Sequence, residues 1–136
     1  LADDAELVDG KKLLANAAEE AFAPILKSYF ADHGITRVAD RIAIAEDYYS
    51  AVGMGLLKVA SLGPVAGIVE LLSSHVDEGW KMKWGGREAP VNFVTQGFVA
   101  ALFAAVLDLP IGTFQVSEEQ SIVAGAEKSV FRAVRL

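Results

Sequence analysis

Candidate ligating residues concentrate near the end of the chain, in SEEQSIVAGAEKSVFRAVR, positions 117–135. Glu118 is followed by Ser121 three places on, Gly125 four later, Ser129 four later again, and then the aromatic Phe131. That is the rhythm of a metal-binding hairpin. A structural zinc takes about four ligands, mostly thiolate or imidazole. Here both polar positions are serine, and the chain has no cysteine. Neutral serine hydroxyls replace thiolates poorly, and neither His33 nor His75 has a cysteine partner. No metal and no cofactor are therefore expected. Hydrogen bonds among Glu118, Ser121, Ser129 and nearby backbone are expected to close the loop instead.

Aromatic and imidazole side chains supply the other candidates. His75 follows Ser74 at the end of a strand-like segment, where a neutral imidazole could hydrogen-bond a phenol or a carboxylate head group. A half-exposed histidine at a strand end is the plainer reading. Trp80 and Trp84 alternate with Lys81 and Lys83, so a strand here would put both indoles on one side. They would form a pocket wall, a partner hot spot or simply core. Phe93, Phe98, Phe103 and Phe114, with Tyr49 beside Tyr48, could line an apolar cavity or be an ordinary core, and only a void separates the two. Glu118-Glu119 is no acid pair, because neighbours on a strand point to opposite faces. Ser74, His75 and Asp77 stand too close in sequence for a catalytic triad. The glycines at 53, 55, 63, 85 and 86 do not open a helix after a strand, so no phosphate loop forms.

These residues need elements to position them. Leu13, Leu14, Ala17, Ala18, Ala21, Phe22, Ile25, Leu26, Tyr29 and Phe30 recur in pairs every four residues, which predicts a helix with one apolar face. Pro24 predicts a kink or break near Ala23, and Gly34 a stop. Thr36 is placed to cap a second helix carrying Val38, Ile42, Ala45, Tyr49 and Val52 on one side. Strands are expected over 56–61 and 65–73, joined by the turn at Gly63-Pro64, with a further strand over 80–88. Pro90 suits the first turn of a third helix, apolar nearly all round, running to about 107 and ended by Pro110 and Gly112. Strands at 113–117 and 128–135 complete an α+β domain, helices packed on an antiparallel sheet. One domain over 1–136 is expected, helical over 1–53, with the sheet and central helix over 54–136.

Composition sets outer limits. The chain has 136 residues, 53% of them hydrophobic, and a net charge of −6. Such apolar richness points to a full core, a pocket or an oligomer interface. The 12 basic residues form no stripe, so nucleic-acid binding is not expected. The most apolar run, 91–107, contains Asn92, Thr95 and Gln96 and is shorter than a membrane span. The acidic start LADDAELVDG is unlike a secretory signal, and the absence of cysteine fits a cytoplasmic protein. The opening Leu1 suggests a trimmed start.

From about Ala51 to Arg135 the sequence resembles the 4-vinyl-reductase domain family. The match rests on Glu118, Gly125 and Phe131 in their spacing, the Gly97-Phe98 pair of the buried helix, and SSHVDEGW at 73–80. Where the family carries two cysteines, this chain has Ser121 and Ser129. A third family cysteine, near the start of the central helix, would fall near Asn92. The resemblance implies helices on a twisted antiparallel sheet related to vesicle-tethering subunits, and a zinc site lost at Asn92, Glu118, Ser121 and Ser129. It also implies a sensor or carrier domain that binds an apolar or aromatic molecule without catalysis and signals through a separate partner, with His75 near the position of a pocket aromatic. The ligand would meet Tyr49, His75, Trp80, Trp84, Phe93, Phe98, Phe103 and Phe114. The alternative is a dimeric scaffold with no small-molecule site. A role as accessory to tetrapyrrole vinyl reduction rests on the family name alone. A homodimer is expected under any reading, through the apolar faces of 13–30.

Overall fold

The computed structural model describes residues 2–74, 92–120 and 128–136. Helix α1 spans Ala2–Asp32 and α2 spans Val38–Ala51. A hairpin follows, β1 at Gly55–Leu62 and β2 at Ala66–Ser74. Helix α3 covers Asn92–Val106, and β3 (Phe114–Gln120) and β4 (Ser129–Arg135) close the chain. The strands form one antiparallel sheet in the order β1-β2-β4-β3, with the three helices packed on it. The expected α+β architecture is the observed one. The strand expected over 80–88 lies outside the described residues.

The core forms around α3. Every residue from 97 to 106 is buried. Helix α1 packs against it on one side and β3 and β4 on the other. The inward face of the sheet carries Leu57, Val69, Leu71, Phe131, Ala133 and Phe114, as the two-residue period of a strand requires. Aromatic rings set much of the packing. Phe98 meets Phe22 edge-on at 5.1 Å and Tyr49 at 5.0 Å, and Phe103 meets Phe114 at 5.1 Å. These offset geometries suit the ring quadrupoles.

Four local expectations differ from the structure. Helix α1 runs through Pro24 without interruption. Both Pro24 and Glu20, whose carbonyl loses its bond, are exposed, so water can take that bond. The apolar residues of α1 do not share one face. Ala18, Phe22, Leu26 and Phe30 turn to the core, while Leu13, Leu14, Ala17, Ala21, Ile25 and Tyr29 are left exposed. Adjacent positions lie about 100° apart around a helix, so a paired repeat covers two stripes rather than one. The cap of α2 is Arg37 in an extended conformation, with no side-chain bond, and not Thr36. Finally, α3 ends at Val106, close to the expected 107, but at a Schellman turn rather than at Pro110 and Gly112 themselves.

All three helices among the described residues end this way. Ile35 N–H reaches the Phe30 carbonyl at 2.8 Å, Met54 N–H reaches Tyr49 at 3.4 Å, and Leu109 N–H reaches Ala104 at 2.7 Å. Each turn needs one residue in the left-handed region. Gly34 and Gly53 supply it at φ 63° and 84°, but after α3 the position is Asp108, at φ 57°. Aspartate tolerates this conformation better than most residues but less well than glycine. Asp108→Gly is expected to stabilise the fold by about 1 kcal/mol in chemical denaturation. A neutral or destabilising result would mean that the Asp108 side chain makes an offsetting contribution.

Candidate functional site

The site starts from a close approach of two backbones. A methyl group placed on Gly97 of α3 would overlap the Ala15 carbonyl of α1 and stand 2.6 Å from the Ala18 Cβ. Only a residue without a side chain fits. Small residues on both helices thus let α1 and α3 lie against each other, with Glu19 carried on the same buried stripe of α1.

Beside this contact is a cleft of about 700 Å³. Helix α1 gives it Ala15, Asn16 and Glu19, and α3 gives Phe93, Gln96, Gly97 and Ala100. The opposite wall is Phe114, Gln115 and Val116 of β3, with Gly112 before it and Leu136 after β4. Its size is that of ordinary small-molecule sites, and its mix of apolar walls with a few polar groups is typical of them.

Among the described residues of that lining, Glu19 has the charged side chain. It is only 7% exposed. One carboxylate oxygen, Oε2, accepts the Gly112 N–H at 2.9 Å. Burial pushes its carboxyl above the ordinary value of 4.5. The Gly112 bond opposes that shift, Glu20 adds to it and Lys27 subtracts. Lys27 does not pair with Glu19; its Nζ donates to the Leu109 carbonyl at 2.6 Å.

The residues singled out from sequence separate into three groups. Phe93 and Phe114 line the cleft. Tyr49, Phe98 and Phe103 are fully buried and belong to the core instead. The Tyr49 hydroxyl and Thr95 Oγ1 share a hydrogen bond of 3.0 Å, which fixes α2 to the first turns of α3. His75, Trp80 and Trp84 lie outside the described residues, as does Ser121. Of the candidate residues near the end of the chain, Ser129 is buried, and Glu118 sits opposite Phe131 across the β3–β4 ladder. Glu118 and Ser129 thus belong to the sheet face that meets the helices. Among the described residues no group of three His, Cys, Asp or Glu side chains could hold a metal ion.

Sequence reasoning missed Glu19, Asn16 and Gln96. The available signal for Glu19 was position: it falls beside Ala18 and three before Phe22, an acid on the stripe that must face the core.

No protein-family model and no curated protein matches the chain. Solved structures do. The chain is similar to the phenol-responsive sensory domain of the transcription activator PoxR, crystallised with phenol. The TM-score is 0.72 at 14% identity, over 96% of this chain and 69% of that one. It is also similar to a trafficking protein particle complex subunit 3 from Naegleria fowleri, covalently bound to palmitic acid. There the TM-score is 0.59 at 11% identity, over 95% of this chain and 81% of that one. At such identities the likeness establishes a shared fold.

Two measurements check the site's construction. Gly97→Val should force α1 away from α3 and cost about 1–3 kcal/mol or more in denaturant titration, since overpacking a close contact shifts backbone. An unchanged midpoint would contradict the close approach. Glu19 sets a pH dependence of known sign. Its folded-state pKa is raised, so the folded form holds the proton more tightly than the unfolded chain. Its contribution is full below 4.5 and is lost as pH rises through the raised value. Glu19→Gln, whose amide oxygen can still accept the Gly112 N–H, should raise Tm near neutral pH and lose that advantage in acid. A Tm difference independent of pH would contradict the raised pKa.

Proposed function

We propose that the chain is a non-catalytic small-molecule-binding domain, a sensor or carrier for an apolar or aromatic ligand that signals through a separate partner. The observation that carries this reading is the cleft between α1, α3 and β3, walled by Phe93, Phe114 and Val116. A cleft of about 700 Å³ with apolar walls and a few polar groups has the size and make-up of a small-molecule site. The shared fold supports the reading, because both similar structures hold apolar molecules, phenol in one and palmitic acid in the other. In this reading Tyr49, Phe98 and Phe103 hold α3 behind the cleft. His75, Trp80 and Trp84, which precede α3 in the chain, complete the ligand's surroundings. The hairpin of Glu118, Ser121 and Ser129, with Asn92, is the remnant of a zinc site closed by hydrogen bonds.

One observation favours a second reading, a dimeric scaffold. Leu14, Ile25 and Tyr29 are 37–45% exposed along one side of α1. Isolated apolar residues on a surface need no partner, but a stripe along a helix suits burial against a copy of itself.

Native mass spectrometry of the protein as purified from cells, compared with the denatured sample, separates the two. The ligand reading expects a non-protein mass that leaves on denaturation. A dimer without adduct, converted to monomer by Ile25→Glu, would favour the scaffold. A bound zinc ion would overturn the account of Ser121 and Ser129.

A further inference from the structure

Glu19 is in an unusual position for a carboxylate. Glutamate is rarely this buried unless it is paired. The Gly112 N–H satisfies one oxygen. No cation pairs with Glu19 among the described residues, and the nearest cation acting on it, Lys27, is committed to the Leu109 carbonyl. The other polar side chains of the described lining, Asn16 of α1, Gln96 of α3 and Gln115 of β3, are uncharged. The charges that act on Glu19 are therefore Glu20 and Lys27, both on its own helix. A buried carboxylate is costly unless a partner offsets its lost hydration. Here the second oxygen is left for whatever enters the cleft.

The cleft around this oxygen is apolar and aromatic. Phe93 comes from α3 and Phe114 from β3. Aromatic faces attract cations and also accept apolar bodies. An anionic ligand would instead bring a like charge to a buried carboxylate.

We infer that the cleft selects an amine: the Glu19 carboxylate pairs with the ammonium of a small apolar or aromatic amine whose body lies against Phe93 and Phe114. The inference rests on the small-molecule reading of the cleft and narrows its ligand class. Glu19 supplies the counter-charge, Gly112 holds the carboxylate in place, and the rings supply apolar contact. Because pairing needs the ionised carboxylate, binding weakens as pH falls through the raised pKa of Glu19.

The test uses four probes of similar size, 2-phenylethylamine, 2-phenylethanol, ethylbenzene and 3-phenylpropionate, titrated into isotopically labelled protein and followed by NMR at the Gly97, Gly112 and Phe114 amides. The expected result is tightest binding of the amine and weakest of the carboxylate. Glu19→Gln should weaken the amine by about tenfold to a hundredfold, the usual worth of a charge-assisted bond, and leave the two neutral probes unchanged. Thermal unfolding of the variant confirms that it is folded. In the unaltered protein, amine affinity should fall in acid while that of the neutral probes stays level. Equal binding of amine and neutral probes, unaffected by Glu19→Gln, would overturn the amine inference and leave the small-molecule reading standing. No shift at these amides with any probe would overturn both.

Discussion

The fold depends on enclosing one helix. From Gly97 to Val106 no residue of α3 reaches solvent appreciably, and nearly all are apolar. A helix apolar all round has no face to give to water, so something must cover each side. The sheet covers one side with the alternating residues of β3, β4 and β2. Helix α1 covers another, and α2 closes over Phe98 through Tyr49. A longer hydrophobic helix could have sought a membrane, but among the described residues none is long and apolar enough to cross one.

Enclosure creates a second problem, because the last carbonyls of a buried helix still need donors. Long cationic side chains from the other helices meet it. Arg41 of α2 donates to the Ile35 carbonyl at 2.8 Å and to the Val106 carbonyl at 3.1 Å, and its guanidinium lies 5.2 Å from the Phe30 ring centre. Lys27 of α1 donates to Leu109. Glu19 reaches in the opposite sense, accepting the N–H of Gly112. The loop after α3 is thus held by residues from both N-terminal helices. The same ties bring Glu19 to the edge of the cleft, so the polar group best placed to meet a ligand is also part of the scaffold.

The aromatic residues divide between these two tasks. Phe98, Phe103 and Phe131 fill the core, where their bulk holds the layers together. Phe93 and Phe114 sit where α3 and β3 border the cleft. Phe114 does both, with one edge against Phe103 and another part on the cleft wall. A ligand there would rest on the packed core, the kind of rigid support that binding sites need.

Local pattern along the chain set the layout. The strand alternation around Leu57, Val69 and Phe131, the turn at Gly63-Pro64, the stops at Gly34 and Gly53, and the all-apolar α3 follow from short-range period and backbone preference, which neighbours in the chain decide. Within the candidate site, Phe93 and Phe114 were legible as large aromatics in apolar elements. The rest was not, because it depends on which surfaces meet. Two apolar stripes on α1 look alike in sequence, and only packing against α3 decided that Ala18 and Leu26 go inside while Ile25 and Tyr29 stay out. Asp108 could take the place of a glycine because the end of α3 required a left-handed residue there. Glu19 became a buried carboxylate because Gly97 let α1 come close enough to α3 for the Gly112 N–H to reach it. Such contacts join residues some ninety positions apart, and no local pattern encodes a distance of that kind.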